Sequence, residues 1–99
     1  MNAPIETIKK YFSGQPVKKV YLFGSMARNE ATYQSDIDLL VELNESVDLF
    51  QFAEMQWQLE ELLKRKIDLV STNGISQRLQ PYIEKDKYLI YETSLTPIT

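Results

Sequence analysis

The apolar residues of this chain follow two rhythms, one of period near 3.6 and one of period two, and the elements change where the rhythm changes. Ile5, Ile8 and Phe12 recur at helical spacing after Pro4, and Ser13-Gly14 and Pro16 stop the run, which predicts a short helix from about Pro4 to Phe12. Lys19 to Phe23 (KVYLF) is dense in β-branched and aromatic residues and predicts a buried strand that Gly24-Ser25 breaks abruptly. Met26 to Asn29 reads as a helical turn and Glu30 to Ser35 as a polar loop. Ile37 to Leu43 (IDLLVEL) is the second strand. Period two sends Ile37, Leu39, Val41 and Leu43 to one face and Asp36, Asp38, Leu40 and Glu42 to the other. The first face is apolar throughout and is expected to pack on helices. The second opens with two carboxylates.

Asp48 to Arg65 is the clearest helical segment. Leu49, Phe52, Leu59, Leu62 and Leu63 form its expected core stripe, and Glu60/Lys64 and Glu61/Arg65 are favourable i,i+4 pairs. Asp48 opens it and Lys64, Arg65 and Lys66 close it, as the helix dipole prefers. Phe50, Ala53 and Trp57 make a second apolar stripe, and one small core has little room for both. Ile67 to Ser71 (IDLVS) is a third strand, Thr72 to Ser76 a turn around Gly74, and Arg78 to Tyr91 holds a helix beginning near Pro81. In that segment Leu79, Tyr82, Ile83, Leu89 and Ile90 are expected to pack inward. Glu92 to Thr99, interrupted by Pro97, is expected to fray. Alternating helices and strands predict an α/β fold with a mixed three- to four-stranded sheet flanked by helices.

Length and composition narrow the function. Ninety-nine residues make one domain, 1–99, with its core at about 5–91. Fourteen acidic residues against eleven basic ones leave a net charge of −3 and no basic stripe, so a grip on duplex nucleic acid is not expected. A bound triphosphate would need a divalent cation to offset its charge. The chain contains neither cysteine nor histidine, which excludes disulfides, thiolate or imidazole metal sites and Ser-His-Asp catalysis. Carboxylates, hydroxyls, Lys and Arg remain. With no long apolar run the expected setting is cytoplasmic and away from membranes.

Those residue types converge between Lys19 and Leu43, KVYLFGSMARNEATYQSDIDLLVEL. A strand, a Gly-Ser turn, a short helix and loop, and a strand headed by Asp36-Ile37-Asp38 follow one another. Gly24 lets the backbone approach a phosphate, and amides at a helix start would face it. Ser25 could add its hydroxyl. Asp36 and Asp38, on one strand face, could hold one or two magnesium ions, whose hard oxygen chemistry suits carboxylates and phosphates. Asp68, between Ile67 and Leu69, projects from the same kind of face. If the second and third strands are neighbours, three carboxylates meet. The bland readings are a plain turn and solvent-facing caps.

Gly-Ser, ten residues, then Asp-Ile-Asp resembles the signature of the polymerase-β-like nucleotidyltransferase superfamily. The fuller string, with Ala27-Arg28 and SDIDLLV, resembles its minimal nucleotidyltransferase (MNT) domains, and the likeness runs over roughly residues 5 to 91. The resemblance implies a small nucleotidyltransferase fold. It assigns Gly24 and Ser25 to the triphosphate, Asp36 and Asp38 to the metals, and Asp68, the family's third carboxylate, to the side of the attacking hydroxyl. Arg28 matches a family arginine that touches phosphate or anchors the motif helix; pairing with Glu30 is the ordinary alternative. Many relatives carry Gly where this chain has Asn29, the non-glycine residue best able to adopt positive φ.

The implied reaction is magnesium-dependent transfer of a nucleotide from a nucleoside triphosphate, with ATP favoured by the resemblance, onto a hydroxyl. Stand-alone MNT proteins resemble antitoxins paired with all-helical HEPN toxins, some of which receive AMP on a tyrosine. The Phe50/Ala53/Trp57 stripe is then a candidate contact surface, with core packing as the competing reading. A contact-only antitoxin and a small-molecule (antibiotic) nucleotidyltransferase, its acceptor pocket completed by homo-oligomerisation, stay open as alternatives.

Overall fold

Residues 4–24, 36–44, 47–72 and 80–93 are described by a computed structural model of the chain. The helical turn at Met26 to Asn29, the loop to Ser35 and most of the turn around Gly74 lie outside those residues. Helix α1 (Ile5–Phe12) follows Pro4 and buries Ile8 and Phe12, one turn apart on one face. Strand β1 (Val17–Phe23) begins two residues before the predicted start, and β2 (Ile37–Leu43) coincides with the prediction. Helix α2 (Leu49–Leu63) is opened by a capping box in which the Asp48 side chain accepts from the Gln51 amide while the Gln51 side chain accepts from the Asp48 amide. It stops short of Arg65 because Lys64 takes a left-handed conformation, φ 55°. Glu60 then reaches across the turn and accepts from the Ile67 amide at 3.2 Å, so its carboxylate fixes the start of β3 (Ile67–Ser71).

The last segment departs from expectation. Helix α3 spans only Gln80–Asp86, and Tyr88–Glu92 forms a strand, β4. The described strands form one sheet, in the order β3-β2-β1-β4. Its central pair β1–β2 is antiparallel, α2 carries the chain over to β3 parallel to β2, and β4 closes antiparallel on β1. The β1–β4 register slips at Val20/Tyr21, which leaves Ile90 as the extra residue of a bulge and turns it into the core. Leu89, expected inside, is instead well exposed. Leu79 and the Tyr82 side chain lie outside what is described. The expected fraying from Glu92 is corrected in part, since Glu92 pairs with Lys19 and Thr93 bonds to the carbonyls of Lys18 and Val17.

The apolar face of β2 behaves as its period-two pattern requires. Ile37, Leu39 and Val41 join Val20 and Leu22 of β1, Ile67 and Leu69 of β3, Ile8 and Phe12 of α1 and Met55 and Leu59 of α2 in one buried cluster. Each such side chain contributes roughly 1.5–3 kcal/mol relative to exposure. Tyr11 joins the two helices, its hydroxyl donating to Gln58 Oε1 at 2.7 Å. The opposite face carries Asp38, Leu40, Tyr21 and Asp68, and α3 ends there: Lys87, one residue beyond it, sets its ammonium 4.5 Å from the Tyr21 ring centroid.

The core stripe of α2 differs from the predicted one. Phe52, Met55, Leu59 and Leu63 face the sheet, whereas Leu49 is 78% and Leu62 52% exposed. Helical phase explains this: Met55, spaced i+3 from Phe52 and i−4 from Leu59, keeps the stripe straight, and Leu49 and Leu62 fall to its two sides. The second stripe points outward as well. Phe50 is 86% and Trp57 60% exposed, with Ala53 between them, so the core-packing reading of that stripe does not hold.

Trp57 in the isolated chain should therefore emit as a solvated indole and be quenched by iodide or acrylamide; a blue-shifted, protected emission would contradict the exposed face. Burial, aided by the nearby Glu54 carboxylate, pushes the Tyr11 hydroxyl up to about 12 from its usual 10.0. Protonated Tyr11 favours the folded chain fully below pH 10, and that contribution is lost between about pH 10 and pH 12, where the unfolded chain ionises first. Urea titrations at pH 9 and pH 11 should show a smaller loss of stability in Tyr11→Phe than in the wild type.

Candidate active site

The end of the sheet where β1 finishes and β2 and β3 begin gathers the acidic residues. In β1–β2 Phe23 stands opposite Asp38, and in β2–β3 Asp38 stands opposite Asp68. Residues in register on neighbouring parallel strands project to the same face, with strands about 4.8 Å apart. The two carboxylates are thus side by side on the face away from α1 and α2. Asp38 is half-buried and Asp68, on the edge strand, is exposed. The sequence argument needs β2 and β3 to be neighbours, and α2 makes them so.

Asp36 lies one residue ahead of β2 and is exposed; Ile37, which follows it, donates its amide to the Lys66 carbonyl at 3.1 Å. The expected three-way meeting is therefore two carboxylates in register and a third at the lead-in. Among the described residues no group of three acidic side chains gathers tightly enough to enclose a metal ion alone. The donor set still suits magnesium, which is held through one or two carboxylates together with water and substrate phosphate oxygens rather than by an all-protein cage.

Gly24 closes β1 with φ +75°, a conformation that costs a residue with a Cβ about 1–2 kcal/mol. A Cβ placed there would run into Asp38 Oδ2 and lie 3.1 Å from Asp38 Cγ. The glycine thus serves a second purpose beside backbone approach to a phosphate: it makes room for the Asp38 carboxylate. Nothing in the sequence signals that contact, because it depends on the pairing of Phe23 with Asp38. Ser25 and Arg28, predicted for the triphosphate, lie outside the described residues, as does Asn29.

A shallow cleft lined by Val17, Lys19, Glu42, Asn44 and Glu92 sits at the other end of the same strands, where Val17 pairs with Leu43. It shares no residue with the acidic end. Among the described residues no helix is long and apolar enough to cross a membrane.

Comparison with known proteins bears on the chemistry of the acidic end. Residues 6–96 match the family model described as polymerase β, nucleotidyltransferase. A candidate protein adenylyltransferase of Methanocaldococcus jannaschii is 47% identical over 77 residues, which cover 76% of each chain. The structure of a candidate minimal nucleotidyltransferase superposes with a TM-score of 0.73 at 33% identity, covering 85% of this chain and 86% of that one. A chain from the structure of a tri-AMPylated Shewanella oneidensis HEPN toxin in complex with MNT antitoxin shares the fold, with a TM-score of 0.71, 23% identity and coverage of 90% of this chain and 70% of that one.

The geometry of Gly24 makes a paired prediction. Gly24→Ala should lower unfolding stability by about 1–2 kcal/mol from backbone strain and displace the Asp38 carboxylate. Gly14→Ala, whose added Cβ would meet nothing within 4 Å, should be neutral or slightly stabilising. Urea denaturation of both variants checks the contrast.

Proposed function

The chain belongs to the polymerase-β nucleotidyltransferase family as a minimal nucleotidyltransferase domain, and from that premise we propose that it transfers AMP from ATP to a hydroxyl, a tyrosine, of a helical HEPN toxin and so acts as the antitoxin of the pair. The observation that carries the reading is the in-register pairing of Asp38 with Asp68 beside Gly24. The name of the M. jannaschii relative supplies the reaction class, and the AMPylated HEPN toxin held by an MNT antitoxin supplies the kind of acceptor.

In this scheme Asp36, Asp38 and Asp68 would hold magnesium together with phosphate oxygens and water, and the ion would supply positive charge against the phosphates and the acceptor oxygen. Gly24 and Ser25 receive the triphosphate, and Arg28 contacts phosphate or anchors the helix after them. The acceptor oxygen attacks the α-phosphorus, the bond from that phosphorus to the β-phosphate's bridging oxygen breaks, and pyrophosphate leaves. Asp68 accepts the hydroxyl proton; its exposed position on the edge strand supports this assignment, because an acceptor carried by another protein can reach it.

The outward face of α2, with Leu49, Phe50, Ala53 and Trp57, is assigned to contact with the partner. The same face would serve a contact-only antitoxin, and turnover separates the two readings. Magnesium-dependent binding of ATP should weaken at least about a hundredfold in Asp38→Asn, and the partner should gain AMP, with release of pyrophosphate, only with the wild type. Full transfer by Asp38→Asn would refute the scheme. Neutralisation of the partner without nucleotide turnover would favour contact alone.

A further inference from the structure

Lys87 stands apart from the acidic residues in sequence and close to them in the fold. Tyr88 pairs with Leu22 across β1–β4, so Lys87 sits level with Phe23 and Gly24, at the end of the sheet where Asp38 meets Asp68. Its ammonium lies over the ring of Tyr21, which pairs with Leu40 and therefore shares the face of Asp38, two residues earlier in β2. The charge is on the carboxylate face, on the order of 10 Å from the acidic pair by strand spacing and rise.

That position is built rather than casual. The Lys87 amide donates to the Ile83 carbonyl at 2.8 Å and so fixes the residue to the last turn of α3. Its Nζ is 3.1 Å from Glu84 Oε1 and donates to Glu84 Oε2 at 3.2 Å, while the Tyr21 ring closes the side beneath it at 4.5 Å. The side chain is about a quarter exposed, against half for its glutamate partner. An ammonium has three N–H donors, and Glu84 leaves at least one for a further acceptor. A structural cation–π contact alone gives no reason for the cation to stand at this end of this face. A polyanion bound at the carboxylates does, because the acidic residues and the phosphates together bring an excess of negative charge to that end of the sheet.

We propose that Lys87 is a nucleotide-binding residue that donates to non-bridging oxygens of the triphosphate beyond the α-phosphate, and to the pyrophosphate as it leaves, with Glu84 and Tyr21 as the positioning frame of its ammonium. The inference rests on the reading of the acidic end as a nucleotidyltransferase site. It adds to that site a residue contributed by the segment between α3 and β4.

Calorimetric binding of magnesium–ATP, with magnesium–AMP beside it, to the wild type, Lys87→Met, Lys87→Arg and Asp38→Asn at one salt concentration tests it. Lys87→Met should weaken ATP about tenfold, the cost of one charge-assisted hydrogen bond, and change AMP less than about twofold. Lys87→Arg should stay within about threefold of the wild type for both. Unchanged ATP binding by Lys87→Met, or an equal loss of ATP and AMP accompanied by a lower melting temperature, would overturn the proposal and leave Lys87 a structural cation. A wild type that binds ATP no better than Asp38→Asn would instead overturn the reading of the acidic end, and the proposal with it.

Discussion

Two helices seated on one face of a sheet oblige every strand beneath them to sort its side chains by parity. In β2 the odd positions Ile37, Leu39 and Val41 are taken into the core with Met55 and Leu59 of α2 and Phe12 of α1. Asp38 is thereby committed to the other face, and a slip of one residue would turn two carboxylates, Asp38 and Glu42, inward and expose three core side chains. The crossover through α2 then transmits the same parity to β3, where Ile67 and Leu69 go inward and Asp68 outward. The neighbourhood of the two carboxylates is thus a by-product of hydrophobic burial. Two like charges so placed repel by on the order of 1 kcal/mol even with water between them, and the core bears that cost.

Period two alone makes most of this arrangement legible. IDLLVEL and IDLV announce both their faces and their likeness to each other, and the Gly-Ser break after KVYLF marks the turn. The adjacency of β2 and β3 is not in the pattern itself; it comes from the length of α2, enough to return the chain to the same end of the sheet. The sorting of α2 is hard to read because leucine counts as more hydrophobic than methionine, whereas helical phase decides: Met55 lies on the line from Phe52 to Leu59, and Leu49 and Leu62 do not. Strand β4 is hidden for a related reason. Ile83, Ile90 and the intervening Leu89 mimic a helical run through PYIEKDKYLIYE, and no Gly or Pro marks the change at Lys87. Its partner β1, far away in sequence, selects the extended form.

The site draws on residues whose significance is visible only in pairs. Gly24 on its own suggests a phosphate turn, but its lack of a Cβ is also what lets Asp38 point where it does. Asp36 carries the family's motif and yet sits at the lead-in rather than within the ladder. Glu60 has the spacing of a helix-surface ion pair and instead caps the amide of Ile67, which starts β3 one residue before Asp68. In each case the sequence identifies the residue type and the tertiary pairing decides its use.

The place of β4 beside β1 has a kinetic consequence. Lys19 pairs with Glu92, more than 70 residues away along the chain, so the described sheet is completed by a contact of long sequence separation. Loop closure on that scale must be met before its pairing is rewarded, which slows folding relative to a helical chain of the same size. Until the segment past Lys87 has docked, one long edge of β1 stays open to pairing with another chain. A newly made copy is therefore most vulnerable to aggregation in the interval before β4 arrives.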